Sequence, residues 1–211
     1  MSRRATERVQ FYFLLFCLFT LYALSSRADG PSPGTKILYD VPLVRQSTSY
    51  SCGAAALQSV LAFYGIEYME TEVMKAVRTK RVIGTWSDAM ADFAFENELA
   101  AENRQNLTLD DLRRNISLGH PVIVEIQAWP DDPISDYTDI WTEGHYVVVI
   151  GVDERNIYFV DPSILGGRGF IPIAEFLTRW HEIGRRGEHL SHTGILFSGP
   201  IKAPPQWQHI P

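Results

Sequence analysis

Gln46-Ser47-Thr48-Ser49-Tyr50-Ser51-Cys52-Gly53-Ala54-Ala55-Ala56-Leu57 changes character at its one cysteine. Before Cys52 the segment is polar and turn-prone. After it come alanines, the strongest helix formers, and Ser and Gly beside the junction suit a helix start. From Ala54 to Tyr64 apolar residues recur at helical spacing, and Gly65 ends the run. The pattern predicts a largely buried helix with Cys52 in its first turn. Unpaired N–H groups and the positive end of the helix dipole favour a thiolate at such a place. A buried cysteine otherwise serves as a small hydrophobe, so the rest of the chain must decide between the two roles.

The 211 residues suffice for one substantial domain with a short appendage. Hydrophobic residues make up 45% and charged residues 21%, ordinary values for a globular chain. The net charge is −6 and the basic residues do not cluster, which argues against a nucleic-acid partner. Residues 1–28 read as a signal peptide or, if uncleaved, an N-terminal anchor. Arg3, Arg4 and Arg8 precede an uncharged apolar run from Phe11 to Leu24, and Ser26 and Ala28 put small residues at −3 and −1 before Asp29. The run is short for a membrane span. The expected location is therefore outside the cytoplasm, periplasmic or extracellular, with membrane contact only through that segment. Removing it takes Cys17 away and leaves Cys52 without an intrachain disulfide partner. A lone exported cysteine is either buried and inert or kept for its reactivity.

Residues 29–39 read as a linker, Pro/Gly-rich up to Lys36, and Ile37 to Val44 as an edge strand or extended lead-in. Further helices are predicted over Glu70–Arg78, over Trp86–Leu99 with Thr85 or Ser87 as cap, and from Leu109 with Thr108 as cap and Gly119 as stop. A short helix is expected over Pro172–Trp180. Strands are predicted over Pro121–Gln127, Gly144–Val152, Ile157–Pro162 and Thr193–Ser198, with a tight turn at Asp153–Asn156. The loop from Trp129 to Thr142 is acidic but lacks the spacing of a calcium loop. Residues 200–211 form a Pro-rich tail. Helices gathered in the first half and antiparallel strands in the second give an α+β fold, the two parts packed on each other.

A thiol nucleophile needs a base, and histidine suits the task. His145 opens a strand just after Gly144, where its side chain can face a cleft. Asp161 ends the returning strand of the same hairpin, so the two should meet, with the carboxylate orienting the ring. His120 reads as a loop residue, and His181, His189 and His192 fall in a polar region expected to be exposed. No metal or cofactor is called for. The backbone N–H of Cys52 and the side-chain amide of Gln46 are candidate donors to an oxyanion.

In these elements the chain resembles the papain-like, bacteriocin-processing (double-glycine leader) cysteine peptidase family. The matching text is Gln46-x5-Cys52-Gly53-x-Ala55-x-Leu57, His145-Tyr146-Val147-Val148-Val149 and Val160-Asp161-Pro162, with Leu118-Gly119-His120-Pro121-Val122-Ile123-Val124 before them. The resemblance spans roughly residues 40 to 198 in order. It implies a papain-like peptidase domain over residues 40–199, a helical half carrying the nucleophile packed on an antiparallel sheet half. It implies Cys52 as nucleophile, His145 as general base, Asp161 as the group orienting it, and Gln46 in the oxyanion hole. The implied substrate is an extended peptide, such as part of an exported or surface protein met at its secretion machinery. Many family members are cytosolic domains of ABC exporters. This sequence holds no Gly-x4-Gly-Lys-Ser/Thr motif and no transmembrane bundle, so a free-standing exported member is expected. Two other readings keep the same residues: an amidase or acyltransferase, which shares the acyl-enzyme, and a peptide-binding module that assists export without cleavage.

Overall fold

The computed structural model describes residues 30–131 and 136–201. The leader assigned to residues 1–28 and most of the Pro-rich tail lie outside this range. Among the described residues no helix is long and apolar enough to cross a membrane. The described residues from Pro33 onward belong to one unit. Its helices are α1 (Cys52–Phe63), α2 (Glu70–Ala76), α3 (Ser87–Glu96), α4 (Leu109–Leu118) and α5 (Ile173–Arg179). Its strands are β1 (Ala100–Arg104), β2 (Val122–Gln127), β3 (Gly144–Val152), β4 (Asn156–Val160), β5 (Gly169–Pro172), β6 (His181–Ile183), β7 (His189–Ser191) and β8 (Gly194–Ser198).

Six strands make one antiparallel sheet in the order β1-β8-β2-β3-β4-β5, and β6 and β7 form a separate hairpin. Chain order explains the middle of the sheet. The turn Asp153–Arg155 is too short for anything but a hairpin, so β4 returns beside β3. Asp153 Oδ1 accepts from the amides of Arg155 and Asn156 at 2.7 Å and fixes that turn. Strand β2 is buried at every position, as its Val-Ile-Val-Glu-Ile-Gln run requires in a sheet covered on both faces.

Helix α1 packs on β3 because nearly all of it is apolar and small. Ala54 to Leu57, Val60 and Leu61 are fully buried, and each large aliphatic side chain there contributes about 1.5–3 kcal/mol. Helix α4 starts and stops as its sequence dictates. Thr108 Oγ1 accepts from the Asp111 amide at 3.1 Å, Asp111 Oδ2 accepts from the Thr108 amide at 2.9 Å, and Gly119 closes the helix at φ +90.

Several segments depart from the sequence reading, among them strand β5, which was not predicted. Helix α3 begins at Ser87 with Trp86 as its cap residue, and neither Thr85 nor Ser87 caps it by a side chain. The Thr85 hydroxyl instead bonds Thr79 at 2.7 Å. Of the two alternatives for Ile37 to Val44, the edge strand is not formed and the segment leads in to α1; Ile37 makes one bridge to Gly151, and the Leu38 amide donates to the Ile150 carbonyl at 2.8 Å. Ala100–Arg104 is a strand although only its two alanines are apolar, because β8 offers it a free edge. His181 belongs to a hairpin and is buried, its Nε2 2.6 Å from the Ile140 carbonyl oxygen and its ring against Trp141.

Candidate active site

Cys52 is the first residue of α1. The hydroxyl of Ser51, the cap residue, faces backward. It donates to the Thr48 carbonyl at 3.2 Å and accepts from the Thr48 amide at 3.1 Å. No side chain therefore caps the first turn, and its N–H groups stay open beside the sulfur. Cys52 is a free cysteine with 9% of its surface exposed. That exposed edge lines a cleft of about 510 Å³, bordered also by Tyr50, Thr85, Trp86, Glu125 and Glu182. Cys52 is thus a largely buried residue at the wall of a cleft.

His145, the second residue of β3, is 6% exposed. Its Nε2 lies 2.8 Å from Asp161 Oδ1. An ionised carboxylate only accepts, so Nε2 carries a hydrogen and Nδ1 is left for another partner. Cys52 is the other side chain that acts on the ring's charge, which makes its thiol the candidate partner. Burial opposes charge on the ring, yet the bonds from Asp161 and Cys52 outweigh it and raise the His145 pKa to about 9. Burial likewise opposes charge on Asp161. The His145 ring, the Ser163 amide and the Trp129 indole together hold its carboxyl below the usual range. A thiol, an imidazole and a carboxylate that act on one another in this way are the groups that move a proton off a thiol and steady the resulting imidazolium.

Gln46 is held at the same turn. Its backbone amide donates to the Pro162 carbonyl at 3.0 Å, and its Oε1 accepts from Ser163 Oγ at 3.2 Å. Its Nε2 donates to the Thr48 carbonyl at 2.8 Å, which leaves one amide hydrogen for another acceptor. The loop before α1 is thereby tied to the end of β4, and Gln46 and Asp161 sit on one clamp.

The Peptidase_C39 like family matches residues 38–188, which include Gln46, Cys52, His145 and Asp161. The chain belongs to this family. Among relatives, an uncharacterized protein of Methanothermobacter marburgensis is 34% identical over 127 residues, 60% of this chain and 75% of the relative. A C39-like peptidase from Bacillus anthracis has a similar structure, with a TM-score of 0.61 at 16% identity over 80% of this chain and 99% of that one. A double glycine motif protease from an AMS/PCAT transporter, solved in complex with its leader peptide, gives a TM-score of 0.53 at 20% identity. That likeness covers 79% of this chain and 94% of the transporter protease. At such identities the likeness speaks for the fold.

Within this C39-like fold the structure adds residues that sequence reasoning passed over. Glu125 is 4% exposed in the middle of β2. Its Oε1 lies 2.6 Å from the Tyr146 hydroxyl, and its Oε2 accepts from the Thr193 hydroxyl at 2.9 Å. The Tyr146 hydroxyl also approaches the Thr85 carbonyl at 2.9 Å, joining β3 to the segment before α3. A lone carboxylate inside an otherwise apolar strand was the available signal, since buried charges need partners. Glu182 packs over the backbone of Gly144, next to His145. Burial pushes its carboxyl up to about 7, and the nearby Glu125 charge adds to that rise. Trp129 donates to Asp161 Oδ2 at 3.0 Å from the acidic loop after β2; nothing local in the sequence marks that contact.

Proposed function

We propose that the chain is a cysteine endopeptidase that cleaves an extended peptide lying in the Cys52 cleft. The observation that carries the reading is the His145–Asp161 bond through Nε2, which leaves the other ring nitrogen to the Cys52 thiol. Family membership supports the reaction class. The transporter protease solved with a leader peptide supports a peptide as ligand.

In this reading the Cys52 proton passes to His145 and the thiolate attacks a peptide carbonyl. The oxyanion formed is met by the Cys52 backbone N–H and the Gln46 side-chain amide. Collapse breaks the C–N bond; His145 gives its proton to the leaving amine, and the acyl group stays on sulfur as a thioester. Water, losing a proton to His145, then attacks the thioester and frees the acid and the thiol. Asp161 keeps the ring aligned throughout. The basic n-region and apolar run of residues 1–28 support a site of action outside the cytoplasm, on an exported or surface protein.

The test is digestion of a proteome-derived peptide library by the purified chain, with products read by mass spectrometry. The expected result is a set of new termini that appear with the wild type and not with Cys52→Ala. New termini produced equally by the variant, or none from a wild type whose thiol still reacts, would remove the endopeptidase reading.

A further inference from the structure

We propose that Trp129 is a positioning residue, whose indole N–H holds the Asp161 carboxylate at the angle that keeps His145 directed at the sulfur. The inference rests on the cysteine-peptidase reading of this site and extends it to the loop after β2.

Asp161 accepts from three different segments. Its Oδ1 takes the His145 ring at 2.8 Å and the Ser163 amide at 2.7 Å, and its Oδ2 takes the Trp129 indole at 3.0 Å. The Ser163 amide belongs to the carboxylate's own turn and moves with it. The Trp129 bond reaches in from outside and opposes rotation of the carboxylate about its Cβ–Cγ axis. Such rotation would swing Oδ1 off the imidazole.

Burial does not account for the position of this ring, because Trp129 is 55% exposed. Its backbone is also in the left-handed region, at φ +60, which a bulky residue rarely adopts unless its surroundings hold it there. The neighbouring Ala128 amide donates to the Glu143 carbonyl at 2.9 Å and closes the base of the loop two residues from His145. The chain then turns at Trp129, and the indole, which has one donor and no acceptor, directs that donor at Asp161. A solvent-facing tryptophan in an unfavourable backbone conformation, with its single polar group on the carboxylate, is what an orienting contact requires.

The groups that raise the His145 pKa are Asp161 and Cys52, Glu182 packs over Gly144 beside it, and those lowering the Asp161 pKa are His145, Ser163 and Trp129. The test is therefore the pH profile of Cys52 alkylation by iodoacetate in the full chain. This anionic reagent is drawn by imidazolium, so its rate falls where His145 loses its proton. Trp129→Phe keeps a ring and removes the donor; Trp129→Ala removes both. Both variants should move the alkaline limb down by about half a pH unit. Both should slow alkylation at pH 10, above the limb, by about threefold without lowering the melting temperature. A Trp129→Phe profile that follows the wild type overturns the proposal, whatever Trp129→Ala does, since packing or nothing would then be the role. If neither variant folds, the indole N–H resonance of the wild-type chain decides. It should stand apart from exposed indoles and move in Asp161→Ala; an exposed-type resonance indifferent to Asp161→Ala overturns the proposal. Asp161→Ala is also the control for the reading beneath. A limb unmoved by it would remove the triad itself, whereas a limb that moves with Asp161→Ala but not with Trp129→Phe removes Trp129 alone.

Discussion

His145→Ala should lower peptide turnover by about 10²–10⁴-fold, the span that loss of a positioned general base covers. The effect follows from the position of the ring between two partners. With the imidazole gone, the Cys52 thiol and the leaving amine both lose the positioned group that takes and returns the proton. Asp161 keeps the Ser163 and Trp129 bonds, so the turn after β4 should survive and the fold with it. The pH dependence makes the prediction specific. The His145 pKa is raised, so the cationic ring persists below about 9 and is lost as the pH climbs through that value. Iodoacetate alkylation of the wild type should therefore decline through about pH 9, and that limb should vanish in His145→Ala. The limb belongs to the coupled thiol–imidazole pair rather than to either group alone. Circular dichroism beside the kinetics would separate lost chemistry from lost fold.

Gly53→Val should reduce turnover by about 100-fold while the protein still folds. Gly53 follows the nucleophile and sits where Thr85, Tyr146 and Met90 leave little room for a side chain. A Cβ there would lie 3.0 Å from Thr85 Cβ, 3.1 Å from Tyr146 Cδ2 and 3.3 Å from Met90 Sδ. Tyr146 is the residue after His145, and its hydroxyl is fixed by Glu125, so it yields little. The start of the helix must move, and the sulfur moves with it away from the ring. Overpacking of this kind costs about 1–3 kcal/mol of stability, and a displacement near 1 Å at a reacting group costs about 10²-fold in rate. Chemical denaturation and turnover measured on the same variant should show a modest loss of stability and a large loss of activity. Equal turnover in the two proteins would mean that the close approach at Gly53 does not set the sulfur's position.

The fold was legible wherever local pattern and burial agreed. The alanine-rich run after Cys52, the caps at Thr108 and Gly119, and the two β-branched strands around the Asp153 turn all follow from nearest neighbours in the chain. The pairing of His145 with Asp161 was legible for the same reason, since a tight turn at Asp153–Asn156 leaves the strand ends few places to go. Strand β1 was not legible, because Ala100–Arg104 has no alternation and becomes a strand only by pairing with β8, about ninety residues later. The β6–β7 hairpin was hidden by composition. His181, Glu182 and His189 look like surface residues, and burial of His181 depends on Trp141, forty residues upstream. Within the site, the contacts that were missed are long-range bonds of side chains that carry no motif: Glu125 to Thr193, Tyr146 to Thr85, and Trp129 to Asp161.

The most direct measurement is site-mapped alkylation of the folded, native protein with iodoacetamide, compared with His145→Ala at neutral pH. The account predicts one rapid adduct, on Cys52, formed faster than on free cysteine and slowed when the imidazole is removed. An adduct on Cys52 that forms only after denaturation, or at the same rate with and without His145, would contradict it.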